Sequence, residues 1–107
     1  MSEFLLALTT VPDEAKGFEI ARALLEKRLA ACVTVTAAAR SFYRWQGKIC
    51  EDAEYVLLIK TRTDLFPALE ETLRSLHPYE IPELIAVPVE RGAKPYLDWL
   101  RAETGTP

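Results

Sequence analysis

The chain is poor in most of the features that identify small functional proteins. Only two cysteines, Cys32 and Cys50, occur in 107 residues. They show neither CxxC spacing nor the density of a secreted disulfide scaffold, so they read as reduced thiols of a cytoplasmic protein. Histidine occurs once, at His77, which is therefore the only imidazole for acid–base work or metal ligation near neutral pH. The sequence has no GxGxxG, GKS/T, HExxH or GxSxG, which removes the common dinucleotide, phosphate-loop, zinc-protease and serine-hydrolase signatures. No apolar run approaches the roughly 20 residues of a membrane span, and Met1-Ser2-Glu3 lacks the basic start and apolar stretch of a secretory signal. Positive charge is not concentrated: the formal net charge is −3 and Lys and Arg are scattered. A nucleic-acid binder concentrates them on one face to displace counterions. The expectation is a soluble single domain over 1–107 that binds neither nucleic acid nor membrane and is not an enzyme.

What the chain does have is apolar content. Half of it is hydrophobic, enough for a core without disulfides. Phe4 to Val11 is a nearly continuous apolar run, the pattern of a central strand. Pro12-Asp13-Glu14 supplies a helix start, since proline fits a first turn and acids favour the positive end of the helix dipole. A helix to about Arg28 follows, with Ile20, Ala21, Leu24 and Leu25 on its apolar side. Cys32 to Thr36 is β-branched enough for a second strand, expected to lie parallel and adjacent to the first through a crossover. Extended chain continues through Ser41 to Trp45. Gln46-Gly47-Lys48 reads as a turn, and Ile49 to Thr61 returns as a third strand. Asp64 is the expected N-cap of a second helix carrying Phe66, Leu69, Leu73 and Leu76. Leu84 to Val89 forms a fourth strand in which Pro88 demands an edge or a strand end. A short helix opening near Pro95 closes the chain. The resulting fold class is α+β: a ferredoxin-like βαββαβ antiparallel sheet, both main helices on one face, with an added C-terminal helix. The other face then lacks a cover, and the long hairpin carries Phe42, Tyr43 and Trp45, rings too numerous for so small a core. Both features point to contacts between copies.

Candidate chemistry concentrates in His77-Pro78-Tyr79-Glu80-Ile81-Pro82-Glu83. Each proline fixes its own φ and biases the preceding residue toward extended geometry, so the intervening residues are held stiffly. Such a loop can present Tyr79 and Glu80 to a ligand or a neighbouring subunit, and can equally be a rigid connection. A lone histidine before proline is more often a helix-ending turn residue than a ligand. Lys60 shares strand parity with Glu54, Val56 and Leu58, which makes it a candidate for an anion site; alternatively its stem covers apolar surface while the ammonium reaches water. Tyr43 and Trp45 share parity too, and could stack on a flat ligand or bury against another chain. For a metal, Cys32, Cys50, His77 and nearby carboxylates are the inventory, none with close ligand spacing. A site shared between subunits, joining His77 to Glu80 or to a thiol of another chain, is the alternative. An acid–base pair of Lys60 and His77 has little else to support it.

Taken in order, Leu29-Ala30-Ala31-Cys32-Val33, Ser41 to Ile49 (SFYRWQGKI), Lys60-Thr61 and the HPYEIPE segment resemble the CutA family, the divalent-cation-tolerance proteins. Thr10-Val11-Pro12 and Tyr96 to Leu100 extend the match across nearly the whole chain. The resemblance implies a homotrimer built through extended hairpin strands, similar in architecture to the PII signalling proteins, with Phe42, Tyr43 and Trp45 as trimer contacts. It also implies a role in tolerance of divalent metals, with copper or another divalent cation as the bound ion and His77 as a ligand. Where such members are described as binding copper, the site looks like a cysteine at the end of the first strand and two adjacent histidines before Pro-Tyr. Thr9 and Leu76 stand at the first two of those positions here, so only His77 of the three is present. The PII likeness implies a second reading: clefts between subunits, lined by Lys60, Tyr79, Glu80 and Trp45, that hold a small anionic or aromatic ligand.

Overall fold

The strand Lys48–Arg62, fifteen residues long, is the axis of the fold. The computed structural model describes residues 2–106. In chain order the elements are β1 (Phe4–Val11), α1 (Glu14–Glu26), β2 (Cys32–Val35), β3 (Ala39–Trp45), β4 (Lys48–Arg62), α2 (Phe66–Leu76, after a 3₁₀ turn at Thr63–Leu65), β5 (Ile85–Pro88) and α3 (Lys94–Ala102). All pairings are antiparallel: the sheet runs β2-β4-β1-β5, and β3 pairs with the N-terminal half of β4. The expected βαββαβ plan gains a strand, because the extended chain 39–45 is a strand of its own and makes five in all, and it needs one further correction. β2 is parallel to β1 but is not its neighbour, because β4, the longest strand, takes the central place between them and satisfies the backbone groups of both.

Register assigns the two faces. Ala7, Val11, Leu57 and Ile59 point toward Ile20 and Leu24 of α1 and Leu69 and Leu73 of α2, and together they form the buried core. Gly17 sets the approach of α1: a Cβ there would lie 3.3 Å from Val11 and 3.4 Å from Leu57. Leu25, expected on the apolar side of this helix, is instead exposed. Arg28 ends the helix at φ 58, an uncommon value for a non-glycine residue. The Arg28 N–H bonds to the Leu25 carbonyl and the Leu29 N–H to the Leu24 carbonyl, the paired bonds of a Schellman turn. The Arg28 guanidinium in turn donates to the carbonyls of Gly105 and Ala102, 2.7 Å each, tying the C-terminus to this turn. Asp64 is not an N-cap; its carboxylate pairs with Arg62 at 2.6 Å, and Leu65 occupies the cap position of α2 without a side-chain bond.

The opposite face carries Leu6, Leu8, Leu58, Lys60, Ile85 and Val87, as the pairings Leu8↔Leu58, Leu8↔Ile85 and Leu6↔Val87 show. α3 covers only one end of it, where Arg101 sits 5.3 Å above the Phe4 ring. Ion pairs fasten this helix: Arg101 to Glu3 at 2.7 Å and to Asp98 at 3.1 Å, and Lys94 to Asp98 at 2.7 Å. Hydrogen bonds from Arg101, from Lys94 and Arg101, and from Arg62 hold the carboxyls of Glu3, Asp98 and Asp64 below their ordinary values. A folded value below the unfolded one stabilises the fold fully above the unfolded value, about 4.5 for Glu3, and this contribution disappears as pH falls through the folded value. The urea midpoint is therefore expected to stay flat from neutral pH to about 5 and to decline below it. Arg101→Ala, which removes a partner from both Glu3 and Asp98, should shallow that decline. The effect is modest because these pairs are solvent-screened.

Beyond the sheet, residues Lys48–Glu54 of β4 pair with β3 alone and project as a two-stranded ribbon, which gives the molecule its long dimension of 44 Å. Its loop is two residues, Gln46 at φ 49 and Gly47 at φ 78, the left-handed pair that a type I′ hairpin needs to match strand twist.

Candidate functional site

Where the ribbon leaves the sheet, the segment 77–83 crosses the end of β1 and walls off a pocket. Four hydrogen bonds that involve a side chain hold this segment. His77, buried at the C-terminus of α2, donates from Nε2 to the Thr10 carbonyl at 2.7 Å, because a carbonyl can only accept. Its Nδ1 accepts from the Tyr79 N–H at 3.2 Å, and the two rings pack with centroids 4.8 Å apart. The Tyr79 hydroxyl donates to Glu54 Oε2 at 2.8 Å. The Thr9 hydroxyl, fully buried, donates to the Glu83 carbonyl at 2.6 Å. Pro78 and Pro82 stiffen what these bonds fix in place.

The pocket so formed, of about 670 Å³, has the ribbon on one side, with Trp45, Tyr43 and Asp52, and the loop on the other, with Tyr79, Glu80 and Glu83; Glu54 and Thr10 lie between them. On the ribbon the Tyr43 hydroxyl donates to the Asp52 carboxylate. This bond to a negative acceptor pushes the Tyr43 phenol up to about 12. Burial first, then the Glu54 carboxylate, raises the Tyr79 phenol as well. Both phenols are therefore protonated donors at any physiological pH, each committed to a carboxylate.

Of the residues singled out in the sequence, Trp45, Tyr79 and Glu80 meet in this pocket, with Tyr43 and Phe42 on its ribbon side. Lys60 is elsewhere. Six residues along β4 from Glu54, roughly 20 Å away at strand rise, its ammonium donates to Thr34 Oγ1 at 2.8 Å. An anion site resting on Lys60 thus has no basis within one chain. His77 is not arranged as a ready metal ligand, since both ring nitrogens already serve backbone partners. No group of three or more His, Cys, Asp or Glu side chains among the described residues is placed to hold an ion. Thr9 and Leu76, which the resemblance matched to copper-ligand positions, respectively hold Glu83 and pack against the core. The sequence pattern does not mark Asp52 or Glu54 as site residues. Glu54 did share strand parity with Lys60, and a carboxylate at the foot of an apolar strand was the available signal.

An α+β domain with two helices on one face of an antiparallel sheet, a projecting hairpin ribbon and a proline-stiffened pocket loop is a specific combination, and comparison with known proteins places it. Residues 5–103 match the family model described as CutA1 divalent ion tolerance protein. A divalent-cation tolerance protein of Thermus thermophilus is 51% identical over 100 residues, 94% of this chain and 97% of that protein. The human protein CutA is 53% identical over 98 residues, 92% of this chain but only 55% of the human one. Among solved structures, CutA1 of Shewanella sp. SIB1 superposes with a TM-score of 0.95 at 42% identity, covering 98% of both chains. The Thermus structure superposes with a TM-score of 0.94 at 50% identity, covering 95% of this chain and 99% of that one. The chain belongs to the CutA1 family, which is named for divalent-ion tolerance and not for a reaction.

Proposed function

We propose that this chain is a non-enzymatic, homotrimeric protein of divalent-ion tolerance, whose assembly is made by the ribbon of one copy against the uncovered sheet face of the next. The observation that carries this reading is the amount of apolar surface left in water: Phe42 is 67% exposed, Ile49 74%, Ile85 57% and Val87 54%. Large apolar side chains exposed together, one pair on the ribbon and one on the sheet face, mark interaction surfaces. A head-to-tail contact between two different patches, ribbon on sheet face, is the kind that closes by rotation into a ring. Sedimentation or light scattering at micromolar concentration should give three times the 12.1 kDa chain mass; a monomeric mass overturns the reading. The unpaired thiols of Cys32 and Cys50 support a cytoplasmic setting.

The family name supports a role in the response to metal ions, and copper is the expected ion. In this chain copper at His77 would have to break the bond to Thr10 or the bond from Tyr79, and no cysteine or second histidine stands beside it. We therefore assign His77 to positioning the pocket loop. The metal response is then carried by the assembly or by what it binds, not by an ion seated at His77.

A second reading, a PII-like module that holds a small molecule, is favoured by the pocket itself, whose volume suits a ligand of metabolite size. A ligand that binds the folded chain raises its melting temperature by mass action. Thermal-shift comparison of metabolites with divalent metals therefore separates the two readings.

A further inference from the structure

The chemistry of the pocket is lopsided. Asp52, Glu54, Glu80 and Glu83 line it, and no lysine or arginine does. Its two phenolic O–H groups are already spent on Asp52 and Glu54. What remains is weighted toward acceptors, the carboxylate oxygens and phenol lone pairs, beside the hydroxyls of Ser41 and Thr10 and the Trp45 indole N–H, and it carries no positive charge. Glu54 is the most telling of them. Only 7% of it is exposed, its Oε2 takes the Tyr79 bond, and its Oε1 receives no hydrogen bond among the described residues. That oxygen is not sealed in the protein, so its opening is the pocket. A carboxylate withdrawn from water with one oxygen unpaired calls for a positively charged partner.

The walls point the same way. Trp45 and Tyr43, on the ribbon face that carries Asp52, present ring surface on the ribbon side, and an aromatic face attracts a cation through its quadrupole. A bare metal ion does not suit this geometry. Calcium demands six to eight oxygens within about 2.6 Å, whereas the carboxylates here are dispersed around about 670 Å³ and no three side chains converge. We propose that the pocket between the β3–β4 ribbon and the 77–83 loop binds a small organic cation with N–H donors on an apolar stem, a primary ammonium or a guanidinium, with Glu54 as its counter-ion. This rests on the ligand-binding reading of the same pocket and gives it a class within one chain, a cationic ligand, where the sequence suggested a small anionic or aromatic one in clefts between subunits.

The test uses three probes of one shape and different charge, phenethylamine, phenylacetate and 2-phenylethanol, titrated calorimetrically into the assembled protein. Phenethylamine is expected to bind saturably and at least about tenfold more tightly than either analogue, the factor one charge-assisted hydrogen bond provides. Glu54→Gln, which keeps an acceptor for Tyr79 but removes the charge, should lose about tenfold or more. Asp52→Asn, at an exposed position, should lose less. Equal binding of all three probes, or full affinity in Glu54→Gln, overturns the cation proposal while leaving a ligand pocket in place. No binding of any probe at about 10 mM, weaker than the millimolar floor of small-ligand affinity, overturns both. A fall in assembly mass in Glu54→Gln with no effect on phenethylamine overturns it as well, because the pocket would then hold a basic side chain of a second copy. Comparison of the three probes on the unaltered chain decides the matter even if Glu54→Gln fails to fold.

Discussion

Phe42→Glu combined with Ile49→Lys is expected to leave the chain folded and to reduce its mass in solution from that of the proposed trimer to the single 12.1 kDa chain. Both side chains stand on one face of the ribbon, since Phe42 pairs with Glu51 and Ile49 with Arg44. Both are also largely exposed within the chain, so replacing them removes nothing from the core. A charged residue at an exposed strand position costs the monomer little, usually within about 0.5 kcal/mol. Burying each original side chain against a second copy, by contrast, contributes about 1.5–3 kcal/mol. Losing both, and burying charges instead, weakens each contact by about 3–6 kcal/mol, or on the order of a hundred- to ten-thousandfold. Sedimentation read beside far-UV circular dichroism checks both halves: a monomeric mass with retained helix and strand signal is the expected pair. An unchanged mass would place the interface elsewhere and remove the ribbon from it.

His77→Ala should act on the fold, not on metal affinity. The imidazole is buried and bridges α2 to β1 through the Thr10 carbonyl while receiving the Tyr79 N–H. Truncation leaves that carbonyl without its partner, a loss of about 1–3 kcal/mol, and adds a cavity where the ring packed on Tyr79. The sum, about 2–4 kcal/mol, is a large share of the stability of a domain this size and should appear as a clear fall in the urea midpoint. Thermal melting and amide exchange at Tyr79 and Glu80 should show the loop opening before the sheet. Copper titration of the two proteins, compared at a temperature where both are folded, is expected to give the same stoichiometry. Loss of one copper equivalent in the variant would instead restore His77 to a metal site.

The contrast between these residues shows what could be read from the chain and what could not. The strands and helices were legible because their signals are local: the apolar run of β1, the acids and proline that open α1, the Gln46-Gly47 turn and the edge position that Pro88 requires. Each is dictated by φ/ψ preference or by side-chain periodicity within a few residues. The helix-end cap at Arg28 was not legible in this way, because a non-glycine residue tolerates a positive φ there with the help of carbonyls near 102–105, more than seventy positions away in sequence. The Asp64 cap failed for a related reason: Arg62, two residues back, offered its carboxylate a stronger partner than the backbone N–H groups of α2.

The HPYEIPE segment stood out from residue types alone, and the family pattern supplied its neighbours. Composition and periodicity also determined that a sheet face and a ribbon of aromatic side chains would be left without cover in one chain. Which strand takes the centre of the sheet depended on pairing over the full length of β4, a long-range competition that local signals do not encode. The character of the pocket was likewise settled only in three dimensions. Lys60 and Glu54 share a strand face in the sequence pattern, but folding brings Tyr79 to Glu54 and leaves Lys60 roughly 20 Å along the strand, where it pairs with Thr34. The physical reason is that charge acts through distance in space. The sequence lists the acids and bases of this chain, and the crossing of loop 77–83 over β1 selects which of them face one another.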